Sequence, residues 1–203
     1  AYIDHNDNTR AILLLERVLN SASTESERAE SLYLIGKAYK NLSSFGSFLP
    51  YEGHAWWNGR DVYLIKDYEE TLRSLARSLA HDNFKVIVDE FPDTDWAPKA
   101  QAEIAELYLL PPWDFERARV EFRILIRRWP EHRLANNSLI WIARSYLKDA
   151  RSSRAGSPAC VANYEEAIRT YREILERYPR GHVGEEAREE LEIACQELEG
   201  IEN

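Results

Sequence analysis

The apolar residues of this chain recur at the three- and four-residue spacing of an amphipathic α-helix, and no segment alternates convincingly as a β-strand would. In residues 9–20, for example, Ile12, Leu15 and Leu19 share one face of a helix. The same spacing predicts seven more helices. Their expected ranges are 24–42, 61–90, 95–110, 114–128, 133–149, 161–177 and 183–199. The pattern therefore predicts an all-α protein of about eight helices.

A four-position motif occurs three times in the predicted helices. Each copy has Ala, an aromatic residue four positions later, an aliphatic residue seven later and Pro twelve later. The first three positions share one helix face, and Pro ends the helix because it lacks an N–H and restricts the residue before it. We therefore expect each Ala to pack closely against a neighbouring helix. The copies are Ala80, Phe84, Ile87 and Pro92; Ala118, Phe122, Leu125 and Pro130; and Ala167, Tyr171, Ile174 and Pro179.

Three other helices carry a small residue three positions before a tyrosine. These pairs are Gly36 and Tyr39, Ala105 and Tyr108, and Ala143 and Tyr146. Together with the Ala-aromatic-Pro helices, they make the chain resemble tetratricopeptide repeat proteins over roughly residues 9–199, with prolines spaced more widely than the family's repeat of about 34 residues. The resemblance implies a right-handed superhelix of about eight antiparallel helices. It also implies one domain over residues 1–203, with insertions at 43–60 and 150–160.

The dipeptides that close the repeated helices extend this resemblance. Phe91-Pro92, Trp129-Pro130 and Tyr178-Pro179 resemble the repeat ends of bacterial periplasmic envelope proteins, including outer-membrane-assembly lipoproteins and the coordinator of the Tol-Pal system. This implies a periplasmic or otherwise exported bacterial protein, with the cytoplasm as the alternative. No apolar run approaches the ~20 residues of a membrane helix, so we expect no transmembrane segment.

Residues 43–60 break the helical pattern and are dense in aromatic side chains. One interpretation is a partner-binding surface, because Trp and Tyr dominate the energetics of protein interfaces. The alternative is packing, since the rings of a long loop often fold back on the loop or cover the edge of neighbouring helices. The candidate partner-binding residues in this insertion are Phe48, Tyr51, Trp56 and Trp57.

The family resemblance also implies a binding surface formed by the first helix of each repeat. In tetratricopeptide repeats, ligands usually lie on this concave surface, beside the small and Tyr positions. Here those positions are flanked by basic and polar side chains, which would suit an extended peptide or its carboxylate. The candidate residues are Tyr33, Lys37, Lys40, Lys99, Asn137, Arg144 and Lys148.

Charge is unevenly distributed along the chain, whose formal net charge is −9. Residues 117–154 hold ten basic and three acidic side chains, whereas residues 183–203 hold one basic and eight acidic side chains. The basic stretch favours a protein partner with an acidic contact surface. The alternative is a solvated surface with complementary contacts between neighbouring repeats. The net acidic charge argues against nucleic-acid binding, which depends on neutralising phosphates.

Motifs for catalysis or metal binding do not occur in the sequence. The histidines never pair at i+3 or i+4, no carboxylate cluster accompanies them, and no nucleophile motif is present. We therefore expect no enzyme activity, no catalytic residue, no metal and no cofactor. Cys160 and Cys195 lie outside any C-x-x-C arrangement, and either a disulfide or two free thiols would fit them.

These observations lead to two functional hypotheses. The first is a non-catalytic protein–protein interaction scaffold, or an accessory subunit of a larger envelope-associated bacterial complex, which binds one or more proteins. The second is a tetratricopeptide-like binding module for a short peptide or a small soluble ligand. An accessory subunit should bury a surface against another protein, whereas a binding module should have a pocket lined by the groove residues.

Overall fold

The computed structural model describes residues 5–44 and 62–202, and these ranges contain eight α-helices and no strand. The helices are α1 (His5–Ser21), α2 (Glu25–Ser44), α3 (Val62–Glu90), α4 (Trp96–Leu107), α5 (Phe115–Arg128), α6 (Arg133–Ser152), α7 (Pro158–Arg177) and α8 (His182–Glu202). None of these helices combines the length and the apolar character that crossing a membrane requires. The predicted all-α architecture is therefore confirmed for the described residues.

Polar side chains define where several helices begin. At α2, Thr24 Oγ1 accepts a hydrogen bond from the backbone N–H of Glu27 at 3.1 Å, and the Glu27 carboxylate accepts one from the N–H of Thr24 at 3.1 Å. This reciprocal pair is a capping box, and it satisfies two N–H groups that have no partner inside the helix. Asp114 and Ser157 each accept one backbone N–H at the start of α5 and α7.

The chain divides into two compact units, Ala1–Ala100 and Gln101–Asn203. In the first unit, α1 packs on α2 and α2 packs on α3. One core cluster joins the three helices, and it includes the apolar stripe expected for α1. Its members are Ile12, Ile35, Ala38, Leu42 and Ala76, with Leu15, Leu19 and Tyr39 packed against them.

The small position of α2 lets a ring of α3 approach the helix backbone. A Cβ atom added to Gly36 would lie only 2.6 Å from Cε1 of Phe84, which is fully buried. The ring of Tyr33 lies 5.7 Å from that of Phe84 and 5.1 Å from that of Trp96. Any other residue at position 36 would therefore force the buried Phe84 ring to shift.

In the second unit, α5 packs on α6, α6 on α7 and α7 on α8, and α6 also contacts α8. The repeated motif forms its core as predicted. The Ala, aromatic and aliphatic positions of two motif copies are at most 1 % exposed, and the first unit's copy is fully buried as well. These residues are Ala118, Phe122, Leu125, Ala167, Tyr171 and Ile174, with Ala80, Phe84 and Ile87 in the first unit.

The predicted interruption near residues 150–160 is shorter in the structure. Helix α6 continues to Ser152, and α7 begins at Pro158. The hydroxyls of Ser152 and Ser153 donate to the backbone carbonyl of Asp149 at 2.9 Å, so these serines help to end the helix rather than interrupt it. The connection covers residues 153–157. The single domain expected over residues 1–203 stays a prediction.

Candidate partner-binding groove

A surface groove of about 500 Å³ lies in the second unit between α5, α6 and α7. We call it the α5–α7 groove. Its apolar floor comes from Val120 and Ile126 of α5 and from Leu139 and Ile142 of α6. Val120 is 43 % exposed, although Ile142 beneath the groove is buried. An apolar surface that stays open to water gains free energy when another molecule covers it.

The α5 wall of the groove is basic. Arg123 and Arg127 are exposed and lie one helical turn apart. The Nη2 group of Arg123 donates to the hydroxyl of Tyr146 at 3.1 Å, which is a neutral partner. Arg127 makes no hydrogen bond, ion pair or ring contact within residues 5–44 and 62–202. Neither guanidinium is therefore compensated by a carboxylate in the part of the chain that the structure describes.

Tyr146 of α6 is held in place by two arginines of α5. The Arg119 guanidinium carbon lies 4.2 Å from the centroid of the Tyr146 ring, and Arg123 bonds the hydroxyl. Arg119 is buried and forms an ion pair with Asp149 at 3.1 Å. The buried Arg119, which Asp149 holds in place, therefore supports the Tyr146 ring beside the groove.

The α7 wall is charged but internally paired. Arg169 forms an ion pair with Glu166 and a second one, at 3.9 Å, with Glu173. The hydroxyl of Thr170 donates to the backbone carbonyl of Glu166 at 2.7 Å. One arginine beside two glutamates leaves this wall weakly acidic. The groove therefore has a basic side along α5 and a weakly acidic side along α7.

A smaller cavity of about 240 Å³ lies between α6 and α8. There the acidic last helix pairs with the basic face of α6. Arg144 donates through Nε to Glu190 at 2.7 Å and through Nη2 to Glu186 at 2.6 Å. Arg151 donates to both oxygens of Glu197 at 2.9 and 2.8 Å. Carboxylates of the same chain thus already bind two of the basic residues in this cavity.

Hydrogen bonding and burial shift the pKa values of two groups beside this cavity. The hydrogen bond to Glu190 raises the pKa of the Arg144 guanidinium above its ordinary value. Burial, followed by donation of its hydroxyl to Glu190, raises the pKa of Tyr171 well above its ordinary value. Arg144 is therefore a cation and Tyr171 a neutral donor at neutral pH.

The candidate residues of the first unit lie in different surroundings from one another. Tyr33 is half-buried between two rings, and Lys37 and Lys40 are half-buried on α2. Lys99 places its Nζ atom 3.9 Å from the centroid of the Trp96 ring. Their role in partner binding stays a prediction.

The candidate residues of α6 are partly brought together. Arg144 and Lys148 both line the α6–α8 cavity, whereas Asn137 is exposed and lies outside it. Lys148 is exposed and Arg144 is held by α8. The four aromatic candidates of the insertion lie outside the described residues. These are Phe48, Tyr51, Trp56 and Trp57.

Sequence reasoning did not select the residues of the α5–α7 groove. The uneven charge pointed to the basic stretch that contains Arg123 and Arg127, but the repeated motif drew attention to the buried positions of α5 rather than to Val120 and Ile126. A usable signal was present. Val120, Arg123 and Arg127 follow i, i+3 and i+7 spacing, so an apolar and two basic side chains share one face of α5.

The two cysteines are free thiols, so the disulfide alternative is not realised. Cys160 is buried in the core of the second unit, and Cys195 is half-buried beside it. Among residues 5–44 and 62–202, no group of three or more His, Cys, Asp or Glu side chains is arranged to hold a metal ion.

Helices α6 and α7 contact one another closely, carry the small and aromatic positions of one repeat, and provide two of the three sides of the groove. Residues 137–180 match the tetratricopeptide repeat family. The match confirms the resemblance for this helix pair, and it supports a protein–protein interaction module, because tetratricopeptide repeat proteins are generally non-catalytic interaction modules. No curated protein matches the chain.

Proposed function

We propose that the chain is a non-catalytic interaction scaffold or accessory subunit of a larger complex, and that a partner protein binds in the α5–α7 groove. The observation that carries this proposal is an open apolar floor beside two arginines that have no carboxylate partner in the described part of the chain. Covering Val120 would remove apolar surface from water, and Arg123 and Arg127 would bind acidic groups at the edge.

The partner's contact surface is acidic in this proposal. The second unit contains an internal example, since acidic α8 already pairs with basic α6 through Arg144 and Arg151. Those arginines are therefore less available to another protein than the two of α5. Ion pairs at the edge of an interface chiefly select the partner and orient it, while the apolar floor contributes most of the binding free energy.

The setting that we propose is an envelope-associated complex in the bacterial periplasm or another exported location. Its support is the aromatic-Pro ends of the repeated helices, which resemble those of periplasmic envelope repeats. Fractionation of the native source with an antibody against the chain tests it. Recovery in the cytoplasmic fraction would contradict this setting while leaving the interaction function untouched.

A second candidate function is a binding module for a short peptide or small soluble ligand. The volume of the α5–α7 groove, about 500 Å³, favours it, because pockets for small ligands span about 300–1,000 Å³. Mass spectrometry of the purified chain under native conditions distinguishes the two functions, since a bound small molecule adds a defined mass and a partner protein adds a subunit.

The scaffold proposal is tested by affinity purification of two matched variants from the native source. Val120→Glu places a charge in the α5–α7 groove, and Ile193→Glu makes the same change in the α6–α8 cavity. The two side chains are 43 % and 46 % exposed, so both variants should fold. We expect a stoichiometric partner to be retained by the wild type and by Ile193→Glu and to be lost with Val120→Glu.

Two outcomes would count against this proposal. Retention of the partner by Val120→Glu would show that the groove is not the binding surface. Loss of the partner with Ile193→Glu alone would place the binding surface at the α6–α8 cavity instead. Thermal unfolding of each variant, followed by circular dichroism, separates loss of binding from loss of fold.

A further inference from the structure

We infer that the occupant of the α5–α7 groove is an amphipathic α-helix of the partner protein, with acidic residues one turn apart facing α5. This inference rests on the proposed function, and it specifies the kind of partner segment that the same groove accepts. Three features of the groove carry it, namely its length, its walls and its asymmetric charge.

The groove extends over about two helical turns. Its lining residues fall within 120–127 on α5, 139–146 on α6 and 166–173 on α7. Eight residues of helix rise about 11 Å. A partner helix can place apolar residues at i, i+3, i+4 and i+7 over that length, which is the spacing that fills a groove between helices.

The walls of the groove favour a helix over an extended strand. All three sides are α-helices, and their backbone N–H and C=O groups already bond within each helix. An extended segment would therefore find no sheet edge along the groove, and its own backbone groups would have to stay hydrated or be buried unpaired. A helix satisfies its backbone internally and presents only side chains to the apolar floor.

Charge sets the orientation of the occupant. Arg123 and Arg127 are one turn apart on α5, so carboxylates at i and i+4 of a partner helix can reach both. The α7 wall repels further acid, because Glu166 and Glu173 flank the single Arg169. A partner helix with one acidic and one basic or neutral edge fits in one direction only.

Helix α8 of a second copy fits the groove less well than a foreign helix. The exposed stripe of α8 has the right charge, with Glu185, Glu189 and Glu192. However, Ile193, at 46 % exposed, is the one large apolar side chain that is strongly exposed in the described part of α8. Such a face could neutralise the arginines but would leave most of the apolar floor uncovered.

The test uses a displayed library of single-helix peptides of about 20 residues, long enough to be helical in water. One face of each peptide is randomised, and the library is selected against the chain of residues 1–203. Enriched peptides are synthesised, and their affinities are measured by fluorescence anisotropy. The matched variants are Arg123→Ala with Arg127→Ala in the groove, and Arg154→Ala with Arg180→Ala outside it.

We expect enriched peptides to carry Asp or Glu at i and i+4 beside an apolar face. The groove variant should weaken their binding about tenfold at low salt and less at high salt, while the control variant, with the same change in net charge, should leave it unchanged. Val120→Glu should abolish binding. A Pro at the centre of a peptide should also abolish it, because Pro breaks the helix.

The inference is overturned if no peptide is enriched or if the enriched peptides lack paired acidic residues. It is also overturned if binding survives a central Pro in the peptide, or if it survives both Val120→Glu and the double variant Arg123→Ala with Arg127→Ala. Formation of a dimer by the chain, lost with Val120→Glu, would assign the groove to a second copy instead. If Val120→Glu releases the native partner but helical peptides fail, the proposed function stands and only the helical occupant falls.

Discussion

Close packing in this chain depends on single small residues that face large rings. Gly36 faces Phe84 in the first unit, with no room for a Cβ atom. In the second unit, Ala143 and Ala167 are fully buried in the core that contains Tyr171. Interiors are packed at the density of organic crystals, so one added methyl group at such a position must displace its neighbours.

Gly36→Ala should lower the free energy of unfolding by about 1–2 kcal/mol. Overpacking a core typically costs about 1–3 kcal/mol, and the higher helix propensity of Ala offsets up to about 1 kcal/mol. Gly200→Ala is the matched control, because a Cβ atom there meets nothing within 4 Å. Urea denaturation measures both. Equal stabilities for the two variants would mean that Phe84 moves aside at little cost.

Glu27 makes the start of α2 sensitive to acid. Backbone N–H groups of Ser23 and Thr24 donate to its carboxylate and lower its pKa below the ordinary value of 4.5. A carboxyl group whose pKa is lower in the folded state stabilises the fold above its unfolded pKa, and that contribution is lost as the pH falls through the folded value.

Glu27→Ala should therefore lower the thermal midpoint at neutral pH, and its difference from the wild type should shrink as the pH falls below about 4.5. Glu25→Ala removes the same charge from the first turn of α2, outside the capping box, and should have the smaller effect at neutral pH. A difference for Glu27→Ala that is constant with pH would show that the carboxylate does not act through these hydrogen bonds.

At the scale of helices, α8 is attached to the second unit by charge as well as by its apolar face. Arg144 pairs with Glu186 and Glu190, and the buried Tyr171 also donates to Glu190. These groups are partly buried, so their interactions are screened less by salt than those of fully exposed pairs. Removing one partner leaves the other charged groups with fewer hydrogen bonds where water reaches them only in part, which costs stability.

Arg144→Ala should destabilise the protein by about 1–2 kcal/mol, because Glu186 and Glu190 lose their cation. Lys148→Ala, one turn further along α6 and exposed, should change stability by less than about 0.5 kcal/mol. Denaturant unfolding of the two variants, and of Arg144→Ala combined with Glu190→Ala, measures the coupling between the pair. A loss no larger than that of Lys148→Ala would show that packing alone holds α8.

At the scale of the whole chain, the arginines of the basic stretch fall into two groups, those that pair with carboxylates of the same chain and those that stay exposed. Arg119, Arg144 and Arg151 pair with acidic residues of neighbouring helices, which is the complementary-contact interpretation. Arg123 and Arg127 lie open beside an apolar floor, which favours an acidic partner. A chain of net charge −9 can therefore present a locally basic surface, because residues 117–154 hold ten basic side chains against three acidic ones.

The helices and their ends could be predicted well from the sequence, since both depend on interactions between residues close together in the chain. The capping box of Thr24 and Glu27 links positions three apart, and the spacing from Ala167 to Tyr171 lies within two turns. The predicted end of α6, residue 149, lies three residues before the observed end at Ser152, because the hydroxyls of Ser152 and Ser153 bond to the Asp149 carbonyl at the end of the helix.

The candidate site was only partly predictable. Arg144 and Lys148 line one cavity, and their role in partner binding stays a prediction; the pairing of Arg144 depends on α8, more than 40 residues later in the chain. The α5–α7 groove was not predicted, because it needs Val120, Leu139 and Thr170 side by side. No pattern of residues close together in the chain predicts which helices become neighbours or where a groove forms between them.

The sequence by itself determined the number and type of the helices, most of their ends, and which positions face a neighbouring helix, because helical periodicity and capping are local properties. Only the tertiary structure decided which arginines bind carboxylates of the same chain and which remain open, and where an apolar surface is left uncovered. Those outcomes depend on the distances between side chains of different helices, and these distances are set when the helices pack.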